Sequence, residues 1–493
     1  MKTRIYPLLL VILLITAFES MAQNVHYNAH EWGTFTGLSG SDGSTLNGLY
    51  LEEEALPGFV HNLGGNFPNI TFDFGKGMPA DIQLAHVTIK METPVIYFYS
   101  KTPFNADVRV QFTHGLIGQW FPDDSAGVSS IYYNNFGPIL DFGNKQAPLT
   151  NYIEWNANVL PMSADNKCVS KTGETNTWTA PRATDANLVQ VKSETEKFLF
   201  YRGIGNFDLP VKLSFDDRSN LVIANNYTSS IPYFFAYDKE ATGEVKVWFS
   251  GPIDGGATKT VSQNSVSLSE ADFNSKLNEF QSALTAAGLY DKESAAMLNT
   301  WKTSYFGKTG VRVFWIVPRK FTDNILPMSI NPAPDSMSRV LIGRSEILTP
   351  QFEKQLWSDY QADSTLSNYD KDRFLEAYLD RMAYLKSHPD ALQEINAQVA
   401  AAGISPNAWD NANIFLYPNP ASTQILLGIK NANKENINVS LCDLTGRELI
   451  HYQDNILSDF YQKSLDIANL PNGVYIIRAQ TGNQEFTGKI VKE

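Results

Sequence analysis

The sequence predicts a mainly β protein with helical segments, an α+β fold whose largest part is an antiparallel β-sandwich-type domain. Two observations support this prediction. The chain of 493 residues contains 29 Phe, 22 Tyr and 9 Trp, and aromatic side chains favour pleated, half-buried strands. Apolar and polar residues alternate in short runs over the first half, whereas helical periodicity appears only later. At roughly 100–200 residues per domain, the length allows two to four domains.

The first 22 residues have the pattern of a secretory signal peptide. Lys2 and Arg4 give it a positive start, an apolar run covers residues 8–17, and the small residues Ser20 and Ala22 precede a cleavage point. The apolar run is too short for a membrane span of about 20 residues, and no other run is longer. We therefore expect an exported protein with no transmembrane segment in the mature chain.

Residues 23–267 are predicted to form a β-rich domain. We call residues 23–408, which precede the C-terminal region, the cargo. An aromatic and β-branched run covers residues 93–99, and residues 107–112 alternate strictly between apolar and polar. Similar runs lie at residues 211–215 and 245–249, with Gly, Pro, Asn and Asp between them. This pattern indicates one antiparallel sandwich or a pair of them.

Residues 268–408 are predicted to be a mixed helix and strand part of the cargo. Ser269 is a suitable N-cap, apolar residues recur at helical spacing over residues 273–284, and Gly288 ends the run. Strand patterns return before Thr349 and Pro350 begin a last helical block. Helices are therefore expected mainly within residues 268–304 and 350–400.

Residues 409–493 are predicted to be a separate, small β-sandwich. Short alternating stretches such as residues 437–441 are divided by turn residues, and six or seven strands fit into this length. The alternative of a sugar-binding sandwich is disfavoured, since the region lacks a cluster of aromatic residues suited to an exposed face.

Several motifs in this region resemble the C-terminal sorting domain of the bacterial type IX secretion system. They are YPNP at residues 417–420, Asp443 with Gly446 and Arg447, LPNGVY at residues 470–475, and the terminal Lys489 and Lys492. The resemblance implies that the type IX secretion machinery is a partner and that the protein is secreted or placed on the outer surface of a Gram-negative cell. It also implies that this domain is usually removed, and it says nothing about the cargo's activity.

Charge and cysteine content exclude some classes of function. With 39 basic and 52 acidic residues the formal charge is −13, so we expect no nucleic-acid partner. The two cysteines are too few for a disulfide scaffold or a cysteine-based zinc module. No standard catalytic motif is present with its required spacing, so the catalytic residues stay unknown at this point.

Histidines are concentrated near the start of the cargo. Five of the seven lie within residues 26–114, together with Glu31 and Glu92: they are His26, His30, His61, His86 and His114. Imidazole and carboxylate groups are suitable zinc ligands, and strands can bring distant ligands together. The spacing matches no known zinc motif, so the alternative is a set of scattered or hydrogen-bonded histidines.

The segment HEWGTFT at residues 30–36 resembles an uncharacterised group of secreted bacterial proteins. The resemblance extends to residues 59–61, 91–99 and 293–301, and to three later segments at residues 310–312, 318–319 and 339–349. Its pattern includes His30, Glu31 and His61 but not His86 or His114. It therefore narrows the predicted divalent metal site to His30, Glu31 and His61, with Glu92 as a further ligand, but it implies no activity.

His30 and Glu31 are adjacent, so a regular strand would point them to opposite faces. Both could then bind one metal ion only at a bulge or a strand end. In the alternative without a metal, Glu31 is a charge partner for Arg312 or Arg339.

Two functions remain open for the cargo. The favoured one is an extracellular binding or adhesive module. The alternative is an extracellular hydrolase that depends on a metal or on a carboxylate pair such as Glu31 and Glu92. The binding module would bind an extracellular polymer or peptide, and the hydrolase would cleave one.

Overall fold

The computed structural model describes residues 25–53, 55–63, 83–123, 139–144, 148–164, 173–240, 243–262, 268–401, 414–417, 421, 423–430, 436–443, 446–455, 460–481 and 484–492. The predicted signal peptide and the predicted boundary between cargo and sorting domain lie outside these residues. Within the described residues, no helix has the length and apolar character needed to cross a membrane.

The cargo strands are β1 (Tyr27–Ser39), β2 (His61–Asn62), β3 (Gln83–Ala85), β4 (Ile89–Ser100), β5 (Phe104–Phe112), β6 (Gly115–Phe121), β7 (Ile139–Asp141), β8 (Asn151–Val159), β9 (Val189–Val191), β10 (Glu194–Glu196), β11 (Leu199–Gly205), β12 (Val211–Phe215), β13 (Leu221–Asn225), β14 (Ile231–Lys239), β15 (Val245–Ile253), β16 (Thr258–Val261), β17 (Gly310–Ile316), β18 (Met328–Asn331) and β19 (Ser336–Ile347). The helices are α1 (Asn176–Thr179), α2 (Glu270–Ala286), α3 (Asp291–Thr300), α4 (Lys302–Phe306), α5 (Arg319–Ile325), α6 (Pro350–Ala362), α7 (Leu375–Ser387) and α8 (Pro389–Ala401).

A nine-stranded sheet organises the cargo, in the order β15-β14-β17-β19-β1-β4-β11-β6-β2. It combines strands from residues 23–267 with β17 and β19 from the later part of the cargo. All its neighbouring strands pair antiparallel except β1 and β19, which are parallel. The parallel pair is possible because a long connection separates the two strands, whereas a short hairpin would force antiparallel pairing.

The two faces of this large sheet are covered differently. On one face, Phe35 and Ile96 share a core with residues of two smaller sheets, β10-β9-β8-β5-β18 and β12-β13-β16. On the other face, Trp32 and Phe314 pack against residues of α2, α3 and α4. The cargo is thus a sandwich on one side of the large sheet and a helical layer on the other, which confirms the predicted mainly β, α+β class.

The sequence signals for the helices are confirmed in the structure. The side chain of Ser269 accepts a hydrogen bond from the backbone N–H of Asp272 at the start of α2, as an N-cap residue does. Thr349 caps α6 in the same way. The helices fall in the two expected regions with two short exceptions, α1 and α5.

The C-terminal region forms two sheets around its own core. Its strands are β20 (Ile414–Tyr417), β21 (Gln424–Lys430), β22 (Asn436–Asp443), β23 (Glu448–Asn455), β24 (Phe460–Asp466), β25 (Gly473–Thr481) and β26 (Gln484–Lys492). They pair in the orders β20-β21-β24 and β23-β22-β25-β26. Ile425, Leu441 and Ile477 belong to one hydrophobic cluster that both sheets share. This arrangement is the expected small sandwich.

Candidate functional site

His30 lies on β1, on the face of the large sheet that the helices cover. Its Nδ1 is 2.7 Å from Oε2 of Glu293, which is on α3 and is fully buried. The same carboxylate accepts hydrogen bonds from the hydroxyl of Tyr99 (2.8 Å) and the backbone N–H of Tyr290 (2.7 Å). A carboxylate with this set of donors fixes the histidine proton on Nδ1. Nε2 then remains as the basic nitrogen, and it has no hydrogen-bond partner among the described residues.

The start of α3 explains how Glu293 reaches this position. Tyr290 is the N-cap, and Glu293 is the third residue of the helix, from which a side chain can fold back onto the N-cap N–H. This hydrogen bond fixes the carboxylate beside β1, so one residue both caps the helix and orients His30.

Tyr290 forms the exposed border of the site. Its side chain is 42% exposed, and its ring lies 4.3 Å from the His30 ring and 4.8 Å from the Tyr99 ring. The side-chain amide of Asn28 donates to the Tyr290 hydroxyl at 3.2 Å. Only 3% of His30 is exposed, so a ligand would meet Tyr290 and Asn28 before it reaches the imidazole.

Glu31 lies on the opposite face of β1, as strand alternation requires. Its carboxylate accepts hydrogen bonds from Nε of Arg339 at 2.5 Å and from the hydroxyl of Tyr201. Burial alone would lower the pKa of Arg339, but the charge of Glu31 outweighs it and raises that pKa above its usual range. Of the two arginines expected as alternative charge partners for Glu31, Arg339 is the one that contacts it.

His61 lies far from both residues. It is on β2, where its Nε2 is 2.8 Å from Oε2 of Glu194 and its ring stacks on Phe121. Four strand positions separate β2 from β1 in the sheet, which corresponds to about 19 Å at a spacing of about 4.8 Å. The structure therefore does not bring His30, Glu31 and His61 together.

Glu92 also does not join Glu31. It lies on β4 opposite Thr34 and is buried on the helix-covered face, whereas Glu31 points to the other face. In the part of the chain that the structure describes, no three His, Cys, Asp or Glu side chains group closely enough to hold a metal ion.

A network of buried ion pairs lies on the helix-covered face of the large sheet, further along β19. Arg344 contacts Glu53 at 2.8 Å and Glu346 at 2.5 Å, and Arg373 contacts Glu346 at 2.7 Å. Burial on its own raises the pKa of Glu346, but Arg344, Arg373 and Arg312 outweigh it and lower this pKa to about 2. Three arginines thus surround two glutamates, and each carboxylate is held in its charged form by these arginines.

Comparison with known proteins gives one informative match. Residues 415–493 match the family model described as a secretion system C-terminal sorting domain. No curated protein matches the chain. A solved structure described as MHC-like MILL2 is 10% identical, with 52% of this chain and 98% of that chain covered and a TM-score of 0.13. One described as a biofilm-associated protein, BSP domain, is 11% identical, with coverages of 96% and 84% and a TM-score of 0.13.

TM-scores this low support no conclusion about the fold or function of the cargo. The sorting-domain match agrees with the motifs found in the sequence and with the seven-stranded sandwich that contains them. The C-terminal region is therefore a type IX secretion sorting domain, and the protein that carries it is exported by that route.

Proposed function

We propose that the cargo is an extracellular hydrolase, acting outside a Gram-negative cell, in which His30 is the general base and Glu293 orients it. The observation that supports this proposal is the 2.7 Å contact between Nδ1 of His30 and the buried carboxylate of Glu293. A carboxylate in this position holds the imidazole in one tautomer and stabilises the imidazolium that forms when Nε2 takes a proton.

The environment distinguishes this pair from the other histidine–carboxylate pairs. His86 and Asp141 are also close, at 2.6 Å, but both side chains are 54% exposed. An exposed pair gains little from its electrostatic interaction, because water screens it. The His30 pair is enclosed by Tyr99 and Tyr290, which fix both of its members.

The exposed border of the site also supports the second candidate, a binding module. Tyr290 offers a large aromatic surface, and Asn28 places an amide beside its hydroxyl. Aromatic and amide groups together suit a polar extracellular polymer or peptide. In this case the site would bind such a ligand without converting it, and His30 would contribute affinity only.

Steady-state kinetics of the purified full chain test the proposal against a panel of chromogenic esters, peptides and glycosides. We expect His30→Ala to lower kcat by about 10²–10⁴-fold, the contribution of a general base. Glu293→Gln keeps the shape but loses the negative charge, so it should also lower kcat. His86→Ala is the matched control, since it removes an exposed pair, and it should keep the normal rate.

Two results would contradict the hydrolase. One is turnover of none of these substrates by the unmodified protein. The other is a folded His30→Ala variant with an unchanged kcat. If a ligand from the panel binds with no turnover, and Tyr290→Ala weakens that binding, the binding module is the better description.

A further inference from the structure

We propose that Ser338 is the nucleophile of this site, so that the substrates are carboxylic esters or amides. This inference rests on the proposed hydrolase and makes it specific. It assigns a covalent role to a residue of β19 that no sequence motif identifies.

The pairing of strands places Ser338 beside His30. In the parallel ladder between β1 and β19, the two residues are direct partners. Neighbouring strands lie about 4.8 Å apart, so the two Cα atoms are at about this distance. Both side chains are on the helix-covered face, because Val340, two residues after Ser338, and Trp32, two residues after His30, belong to the core on that face.

The Ser338 hydroxyl is not used elsewhere. It has no hydrogen-bond partner among the described residues, although its neighbour Ser336 donates to Asn28 at 2.8 Å. The side chain is half-buried, so a substrate can contact it. No hydrogen bond joins Ser338 to His30, and bonds between nucleophile and base are often long before a substrate binds.

Gly288 leaves the hydroxyl of Ser338 uncrowded. This residue follows α2 with a backbone φ of +118°, which residues other than glycine rarely adopt. A Cβ atom at this position would lie 3.2 Å from Oγ of Ser338. The loop between α2 and α3 therefore passes close to the serine, and a residue larger than glycine at this position would crowd its hydroxyl.

Tyr290 can stabilise the oxyanion that such a reaction forms. Its hydroxyl already accepts a hydrogen bond from Asn28, which leaves the hydroxyl proton available for donation. Tyr290 lies at the other end of the same loop, in contact with the His30 ring. A hydroxyl donor at the developing negative charge is a common form of transition-state stabilisation.

The reaction follows from these positions. Oγ of Ser338 forms a bond to the carbonyl carbon while its proton moves to Nε2 of His30. The tetrahedral intermediate then expels the alcohol or amine, which takes the proton from His30. A water molecule, deprotonated by His30, attacks the acyl-serine. The acid is released, and the proton returns to Ser338.

A fluorophosphonate probe tests this inference on the full chain. An activated serine attacks phosphorus, a P–O bond forms and fluoride leaves, so the adduct can be located by peptide mass spectrometry. We expect one adduct, on Ser338, and at least 100-fold slower labelling of His30→Ala. Ser338→Ala should show no adduct and should lose at least 10³-fold in ester hydrolysis.

Ser329→Ala is the control, since it removes an exposed serine hydroxyl on β18, a strand of a different sheet. It should be labelled and should hydrolyse esters at the normal rate, and circular dichroism verifies that both serine variants fold. Labelling at another serine, or normal hydrolysis by Ser338→Ala, would overturn the nucleophile. If Ser338→Ala stays active while His30→Ala is inactive, the hydrolase stands with His30 activating water directly. If His30→Ala also hydrolyses esters at the normal rate, His30 is not the general base and the proposed function fails.

Discussion

Glu346 illustrates how an opposite charge affects a single buried residue of the large sheet. Its buried carboxylate contacts Arg344 and Arg373. The lowered pKa of about 2 means that the native state binds the proton of Glu346 more weakly than the unfolded chain does, where the pKa is 4.5. The contribution of Glu346 to the free energy of unfolding is therefore complete above pH 4.5 and is lost as the pH falls towards 2.

We expect the free energy of unfolding to fall by about 3 kcal/mol between pH 5 and pH 2 through Glu346, at about 1.36 kcal/mol per pKa unit. Urea denaturation of the full chain at several pH values measures this change. Glu346→Gln cannot titrate, so its stability should depend less on pH over the same interval. It should also be less stable at pH 7, because Arg344 and Arg373 lose their shared counter-charge. Equal pH dependence in the two proteins would contradict the role of Glu346.

Individual site residues could be predicted from the sequence only in part. The crowding of histidines and the HEWGTFT segment single out His30, and the sequence leaves Arg312 and Arg339 as alternative partners for Glu31. Glu293 was not identified as the partner of His30, because 263 residues separate the two. Its position three residues into α3 is a capping signal, but such a signal indicates a helix start and carries no information about a distant histidine.

Local elements follow from local sequence, and α2 is the clearest example. Its N-cap and its apolar spacing both lie within one stretch of chain, so its start and its buried face could be predicted. The short helices α1 and α5 were missed because four and seven residues hold too few apolar positions to show a period. The parallel pairing of β1 with β19 was also missed, since two strands so far apart in the chain share no local signal.

Phe280 on α2 provides a test of how strongly the helical layer is attached to the sheet. The ring is fully buried and lies 5.4–5.8 Å from the rings of Tyr233, Phe235 and Phe314. We expect Phe280→Ala to lower the free energy of unfolding by roughly 3–5 kcal/mol, because it leaves a cavity between helix and sheet. Chemical denaturation monitored by tryptophan fluorescence measures this loss.

Lys276→Ala, on the same helix, is the control for that experiment. Lys276 contacts Glu279 at the protein surface, where an ion pair contributes about 0.5 kcal/mol or less. Similar losses in the two variants would show that α2 is stabilised by its surface charges and not by its packing.

At the scale of the whole molecule, the sequence predicted the division into cargo and sorting domain through the change in pattern near residue 409 and the motifs after it. The C-terminal strands pair with one another and surround their own core. The cargo's architecture was predicted as a class only. Its sheet order depends on contacts between distant strands, and no single stretch of sequence specifies those contacts.

Deletion of residues 409–493 tests this division in the producing cell. Since the sorting domain has a separate core, we expect the cargo to fold without it and to accumulate in the periplasm. Cell fractionation with immunoblotting locates the protein, and limited proteolysis shows whether it is folded. The full chain, detected outside the cell, is the control. Normal amounts of the truncated protein in the medium would contradict an essential role for the domain in export.

The position of β1 has a consequence for how the chain folds. This strand lies inside the nine-stranded sheet, and one of its two neighbours, β19, begins at Ser336. Loop closure over so long a distance slows folding, because the chain loses entropy before the contact forms. A chain that leaves the ribosome N-terminus first therefore exposes one unpaired edge of β1 until some 300 further residues have followed. During that interval β1 can pair with another copy of the protein, so a chaperone that covers this edge would increase the yield of the exported protein.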